Sequence, residues 1–279
     1  LALAVQYGLL KRFEEAWSPG NFRRYGHLVT LWLAVFLLAW EAGWVLDRAV
    51  DGAPVWGLVA WGLVPAAVIA GLRLVSGRLE WPVRRFRDLY LDLGQVPLAG
   101  FLALWILYAS AQTGSPQPLV YVPVLNPLEL TQFAALFTIL WRARQVWVEH
   151  HPKLVWYGWT GVAFVALNGV IARTTHFLGQ VPFAVDRLWE SPQYQTAVSV
   201  TWTLAALAVT LAATRLRQRP AWFAGAALLG AVVVKLFLVD LAEVGTVARI
   251  VSFLVVGGLV LLIGYFSPLP PGTEERSDP

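Results

Sequence analysis

Cysteine and methionine are both absent from the 279 residues, and only 14% of the chain is charged. Without cysteine there is no disulfide, no thiolate metal site and no cysteine nucleophile. With no methionine in the chain, Leu1 is not expected to be a translation start. Leu1–Leu10 also has the wrong order for a signal peptide, because Lys11 and Arg12 follow the apolar run instead of preceding it. This stretch is expected to be the last turns of an earlier membrane helix, in a processed or incompletely observed piece of a longer protein. Phosphate-binding Walker loops, dinucleotide glycine fingerprints and zincin motifs are missing too. So is any repeat of 20–50 residues.

What fills the sequence instead is apolar. Hydrophobic residues make up 58%, the mean hydropathy is +0.61, and these residues fall into long blocks. A membrane β-barrel would show short alternating segments; uninterrupted blocks of about 20 residues span a bilayer as helices. The predicted fold class is therefore all-α, a polytopic transmembrane helix bundle with both ends cytoplasmic. Eight complete spans are expected near 26–46, 55–75, 96–111, 127–141, 154–172, 196–214, 221–241 and 247–266, after the truncated N-terminal one. Three regions follow: 1–25 as the end of a preceding helix and a linker, 26–268 as the bundle, and 269–279 as a disordered, Pro-rich polar tail.

Orientation follows from the basic residues. Of the 21 Lys and Arg, sixteen fall on one side of these spans. Four, Arg48, Arg173, Arg187 and Arg249, fall on the other, and Lys235 lies within a span. The crowded side is predicted to be cytoplasmic. The same pattern explains the net charge of +4 by topology, so no nucleic-acid partner is expected. The cytoplasmic connection 76–95 repeats Val83, Phe86, Tyr90 and Leu93 at helical spacing. It reads either as an amphipathic helix in the membrane interface or as one packed on the bundle. Most of the fifteen Trp fall near span ends, where interfacial anchoring accounts for them. Trp189 is a candidate for sugar stacking.

Polar residues sort by depth. At about 1.5 Å per residue, Lys235 lies roughly 21 Å above the inner end of its span. Glu41 and Asn168 lie at nearly the same level. Gln132, Ser199, Thr203 and Ser252 enter from the outside by one or two turns, and Glu129, Arg173 and Arg249 sit at the outer boundary. The inner leaflet holds mainly Thr30, Thr138 and Thr210, which can bond to their own helices. A charge at such depth calls for a partner or a wet cavity. Glu41 and Lys235 are expected to neutralise each other, either as an ion pair that only fixes helix register or as the wall of an outward-facing cavity. The outer loop 173–195 adds His176, a potential acid or base, and the uncharged, turn-rich loop 112–126 reads as a cap over the bundle. His150 and His151 are a pair without further ligands, so no metal is predicted, and nothing implies a cofactor.

Several blocks carry a resemblance. The run from His27 through Trp32 to Glu41, RTTHFLGQVPF at 173–183, QTAVSVTWTLAALA at 195–208, KLFLVDL at 235–241 and RIVSFLVVGGLVLLIGY at 249–265 resemble the C-terminal part of a large family of bacterial integral membrane proteins of unknown function. This implies a multi-pass protein of the bacterial cytoplasmic (inner) membrane and no transferable catalytic residue. The candidate polar site comprises Glu41, Asn168, Arg173, His176, Lys235, Asp240 and Arg249, all but Asn168 lying within matching blocks. Three functions stay open. The first is an outward-facing site that binds or processes an amphiphilic or glycan ligand. The second is a non-catalytic scaffold subunit among other membrane proteins of an envelope assembly. The third is an ion- or proton-coupled transporter. Beyond the lipid bilayer, the partners expected are other membrane subunits and a lipid or glycan ligand.

Overall fold

The computed structural model describes residues 2–13, 21–50, 55–146 and 152–240, with six isolated positions between 254 and 265. The expected span at 247–266, the paired histidines at 150–151 and the tail at 269–279 lie outside the described residues, or nearly so for that span. Nine α-helices appear among those described: α1 (Ala2–Phe13), α2 (Asn21–Ala49), α3 (Val55–Val75), α4 (Gln95–Ser110), α5 (Pro127–Val146), α6 (Pro152–Gly179), α7 (Val185–Glu190), α8 (Pro192–Arg215) and α9 (Arg219–Lys235). No strand occurs among the described residues. Six helical stretches are long and apolar enough to cross a membrane: Arg23–Ala49, Val55–Val75, Asp88–Ser110, Val155–Gly179, Pro192–Arg215 and Arg219–Val239. The expected fourth span, α5, is helical but carries Glu129, Arg142 and Arg144 and is not among the six.

The chain divides into two compact units, Leu1–Phe177 and Leu178–Pro279. In the first, α3 is the hub and packs against α2, α4 and α5. Its buried residues Val55, Val59, Ala66 and Ile69 meet Leu31 and Val35 of α2, Leu102 and Ile106 of α4, and Leu136 of α5 in one apolar cluster. The α3–α4 approach depends on Gly62, since a Cβ there would collide with the ring of Trp105. That indole, in turn, donates from Nε1 to the Leu58 carbonyl at 3.1 Å. Tryptophans repeat this fastening elsewhere. Trp32 bonds the Gly94 carbonyl, Trp56 that of Gln117 and Trp159 that of Leu136, at 2.9–3.0 Å. An indole has an apolar body and one donor, so it suits a carbonyl at a helix junction. These four tryptophans thus fasten helix junctions, a role that the expected interfacial anchoring does not include.

The connection 76–95 packs on the bundle. Val83, Phe86, Leu89, Tyr90 and Leu91 all join the apolar cluster. The face differs from the one expected, because Leu93 is 51% exposed whereas Leu89 and Leu91 are buried. Winding explains the difference. Asp88–Leu93 is π-helical, and the wider π turn rotates successive side chains away from a 3.6-residue repeat. Gly94 keeps right-handed helical angles and leads directly into α4.

The second unit is built on the α8–α9 hairpin. Ser191 caps α8 by accepting from the Tyr194 amide, and Pro192 occupies the first turn. Near the turn the helices approach closely at Gly225, where a Cβ would strike Thr210. Towards the other end, Lys235 reaches across from α9 to α8. Its Nζ donates to Ser199 Oγ at 2.9 Å and to the Gln195 carbonyl at 3.2 Å.

Candidate functional site

The most connected polar group in the first unit is built around Arg173, near the C-terminal end of α6. Arg173 is 0% exposed, as is Glu129, in the first turn of α5. Local sequence sets that turn. Asn126 accepts from the Leu128 amide at 2.8 Å, as an N-cap asparagine does. Pro127 then occupies the first helical position, where its missing N–H costs nothing. Glu129 follows in the first turn, where the helix dipole favours a negative charge.

Arg173 uses every nitrogen of its guanidinium. Nε donates to Glu129 Oε1 at 2.9 Å, Nη2 to Gln132 Oε1 at 2.8 Å, and Nη1 to the carbonyls of Ala109 at 3.2 Å and Gln112 at 3.5 Å. Gln132 passes the network on through Nε2 to Ser110 Oγ at 3.0 Å and the Ile106 carbonyl at 3.2 Å. Glu129 is equally occupied. Its Oε1 also accepts from the Tyr121 hydroxyl at 2.9 Å, and its Oε2 accepts from the Val124 amide at 2.6 Å. A buried pair keeps its charges only when such further bonds satisfy it.

The same cluster therefore holds down the connection 111–126. Tyr121 stacks on Phe177, with ring centroids 4.4 Å apart, and lies 3.1 Å from the Thr174 hydroxyl. Burial, above all, pushes the Tyr121 phenol up; its bond with Thr174 works the other way, and the Glu129 charge adds to the rise. Asn126 Nδ2 donates to the Gly114 carbonyl at 2.8 Å. Gly114 adopts a φ of +63°, and a side chain there would press on Leu128 and Arg173. Glycine is required at that point for both reasons.

The candidate residues from the sequence are distributed as follows. Arg173 lies at the centre of this cluster. Asn168 donates back to the Phe164 carbonyl of its own helix at 2.8 Å. His176 is half-buried, with its ring edge-on to Phe177 at 4.7 Å. Glu41 is an exposed residue of α2 in the first unit, whereas Lys235 belongs to the second and binds α8 as described. Asp240 ends the π-helical segment Leu236–Asp240, and Arg249 lies outside the described residues. Glu129 and Gln132, noted in the sequence for their depth and not as partners of Arg173, are the side chains that it binds. Tyr121, Ser110 and Asn126 were not anticipated. The signal that could have found Asn126 is the run Asn126-Pro127-x-Glu129, a helix start that places a carboxylate in the first turn. Among the described residues no group of three or more His, Asp or Glu could hold a metal ion.

No curated protein and no solved structure matches this chain. A family model does: the one described as predicted membrane protein (DUF2339) matches residues 1–270. Over nearly its whole length, then, this chain belongs to the DUF2339 family of predicted membrane proteins.

Proposed function

We propose that this region serves as a non-catalytic membrane scaffold, a rigid helical support for an assembly in the cell envelope. The observation that carries this reading is the saturation of the Arg173 cluster. Both Glu129 oxygens and all three Arg173 nitrogens are engaged by the protein itself. A binding or catalytic site for an amphiphile or glycan needs polar groups left over for the ligand. A transporter needs them along a path through both leaflets. In this reading the cluster is an internal clamp. On the positive-inside rule, this reading has the 111–126 connection facing the periplasm, in a bacterial inner membrane. Cysteines at Gln117 or Gln193 are then labelled from outside, and ones at Gln145 or Gln218 only after the inner face is opened.

The test replaces the pair by apolar residues, Glu129→Leu with Arg173→Met, in the full-length protein expressed from its own locus. A scaffold tolerates the exchange: the folded double variant supports host growth as the parent does, under conditions where deletion impairs it. A double variant that reaches the membrane folded, yet behaves like the deletion, overturns the scaffold reading and makes the cluster a site.

A further inference from the structure

Between Leu93 and Leu128 the chain carries no charged residue, although the stretch includes the connection 111–126, outside the helices. Most of that connection's apolar side chains are not buried. Val120 is 85% exposed and Leu125 62%, and Leu119, Val122 and Val124 are exposed beside them. Buried Tyr121 and Asn126 alternate with these residues and point the other way, into the clamp. The exposure is also built in. Trp56 holds the Gln117 carbonyl, Glu129 holds Tyr121 and the Val124 amide, and Asn126 holds Gly114. A freely moving apolar loop would fold its side chains inward; this one is fastened with them facing out.

We propose that the 111–126 connection is a preformed lipid-facing wedge, seated in the boundary between headgroups and acyl chains of the leaflet at that end of the bundle. Continuity is what identifies the occupant. The exposed patch extends the exposed apolar faces of the two helices it joins, Leu104 and Tyr108 on α4 and Leu130, Phe133 and Phe137 on α5. A segment at the end of a membrane span with five outward aliphatic residues and no charge fits the acyl boundary, about 5–10 Å into which amphipathic elements sink. It carries no charge that would complement a soluble partner. The wedge sets how deep this end of the bundle sits, and the Glu129–Arg173 pair is what keeps it open. The inference does not depend on the scaffold reading or on which leaflet is involved.

Spin labels on single cysteines test it, in the full-length protein made otherwise free of cysteine and reconstituted into phosphatidylcholine–phosphatidylglycerol vesicles. Labels at Val120 and Leu125 are expected to collide more with dissolved oxygen than with a water-soluble nickel complex. A label at Leu104 provides the lipid reference and one at Arg78 the aqueous reference. Because Val120 and Leu125 point away from the protein, labelling leaves the fold intact, and each site checks the other. Three results overturn the proposal. The labels could collide freely with nickel, which places the connection in water. They could be shielded from both reagents, which places protein over it. Dipolar broadening between identical labels would make a second copy the occupant.

Discussion

Helix α5 carries one buried arginine cluster at each end, and the two are built differently. At its start, Glu129 and Gln132 receive Arg173, and every polar group of the pair is bonded. Thirteen residues on, about 20 Å along the helix, Arg142 is also buried. Among the described residues only its Nη2 finds acceptors, the carbonyls of Leu91 and Asp92 at 2.5 and 3.5 Å and Asp92 Oδ1 at 3.3 Å. Its Nε and Nη1 have no protein partner among the described residues, and neither polar atom of buried Gln95 has one. Asp92 itself is 49% exposed. The first cluster is closed off by a loop whose backbone turns inward to serve it. The second is closed on one side only: its carboxylate partner stands half in solvent, while two of the three guanidinium nitrogens are buried without a protein acceptor among the described residues.

The largest expected effect separates the two ends. Arg173→Met leaves the Glu129 carboxylate uncompensated inside protein, at a cost of about 3–5 kcal/mol in unfolding free energy. Adding Glu129→Leu removes the orphan charge and recovers most of that loss, a non-additivity that a double-mutant cycle measures. Arg142→Met costs clearly less, since its partner Asp92 remains half in solvent. Reversible unfolding in bicelles of the parent, Arg173→Met, Glu129→Leu, the double variant and Arg142→Met gives these values. An Arg142→Met penalty as large as that of Arg173→Met breaks the comparison.

How much of this could be read beforehand depended on the coordinate involved. Depth along a helix is a count of residues, so Arg173 and Glu129 were placed together at the outer boundary from the sequence, with Gln132 one or two turns further in. Azimuth is not, because helices that are apolar on nearly every side give no face to read. Lys235 illustrates the gap: its level was legible, but Ser199, named among the residues entering from outside, was not singled out as the group it binds. Connections were harder still. Tyr121 sits in a segment with no periodicity at all, and its role depends on the fold of 111–126 around Glu129. The 76–95 helix was located correctly, yet its buried face was displaced by π winding, which no repeat of apolar residues announces.

A second substitution sharpens the description of the closed end. Tyr121→Phe removes the hydroxyl that Glu129 Oε1 shares with Arg173 and frees the 111–126 connection from one of its fastenings. Hydrogen bonds to charged groups contribute about 1.5–3 kcal/mol; with Arg173 and the Val124 amide still in place, the lower half of that range is expected. Alkaline pH gives an independent reading. The phenol is pushed up, so above its ordinary value near 10 the unfolded chain loses a proton that the folded one keeps. The contribution is fully present below about pH 10 and falls as pH rises beyond it. Tyr121→Phe should remove that part of the decline, and parallel curves for parent and variant would show that the phenol is not held as described.

The smallest effect has the opposite sign and tests the open end. Gln95 is buried with an amide that no described protein group satisfies, and a buried polar group without partners costs about 1–3 kcal/mol. Leucine has nearly the same volume and no such demand. Leu91 and Leu98, four residues before it and three after, are buried as well. Gln95→Leu is therefore expected to stabilise the protein, by about 1 kcal/mol once imperfect packing is allowed for. The corresponding exchange at the other end, Gln132→Leu, must destabilise, because it takes an acceptor from Arg173. Opposite signs from the same chemical change are the sharpest form of the contrast between the two clusters. If Gln95→Leu destabilises as well, the amide is satisfied by a group outside the protein, and the two ends of α5 are equally complete.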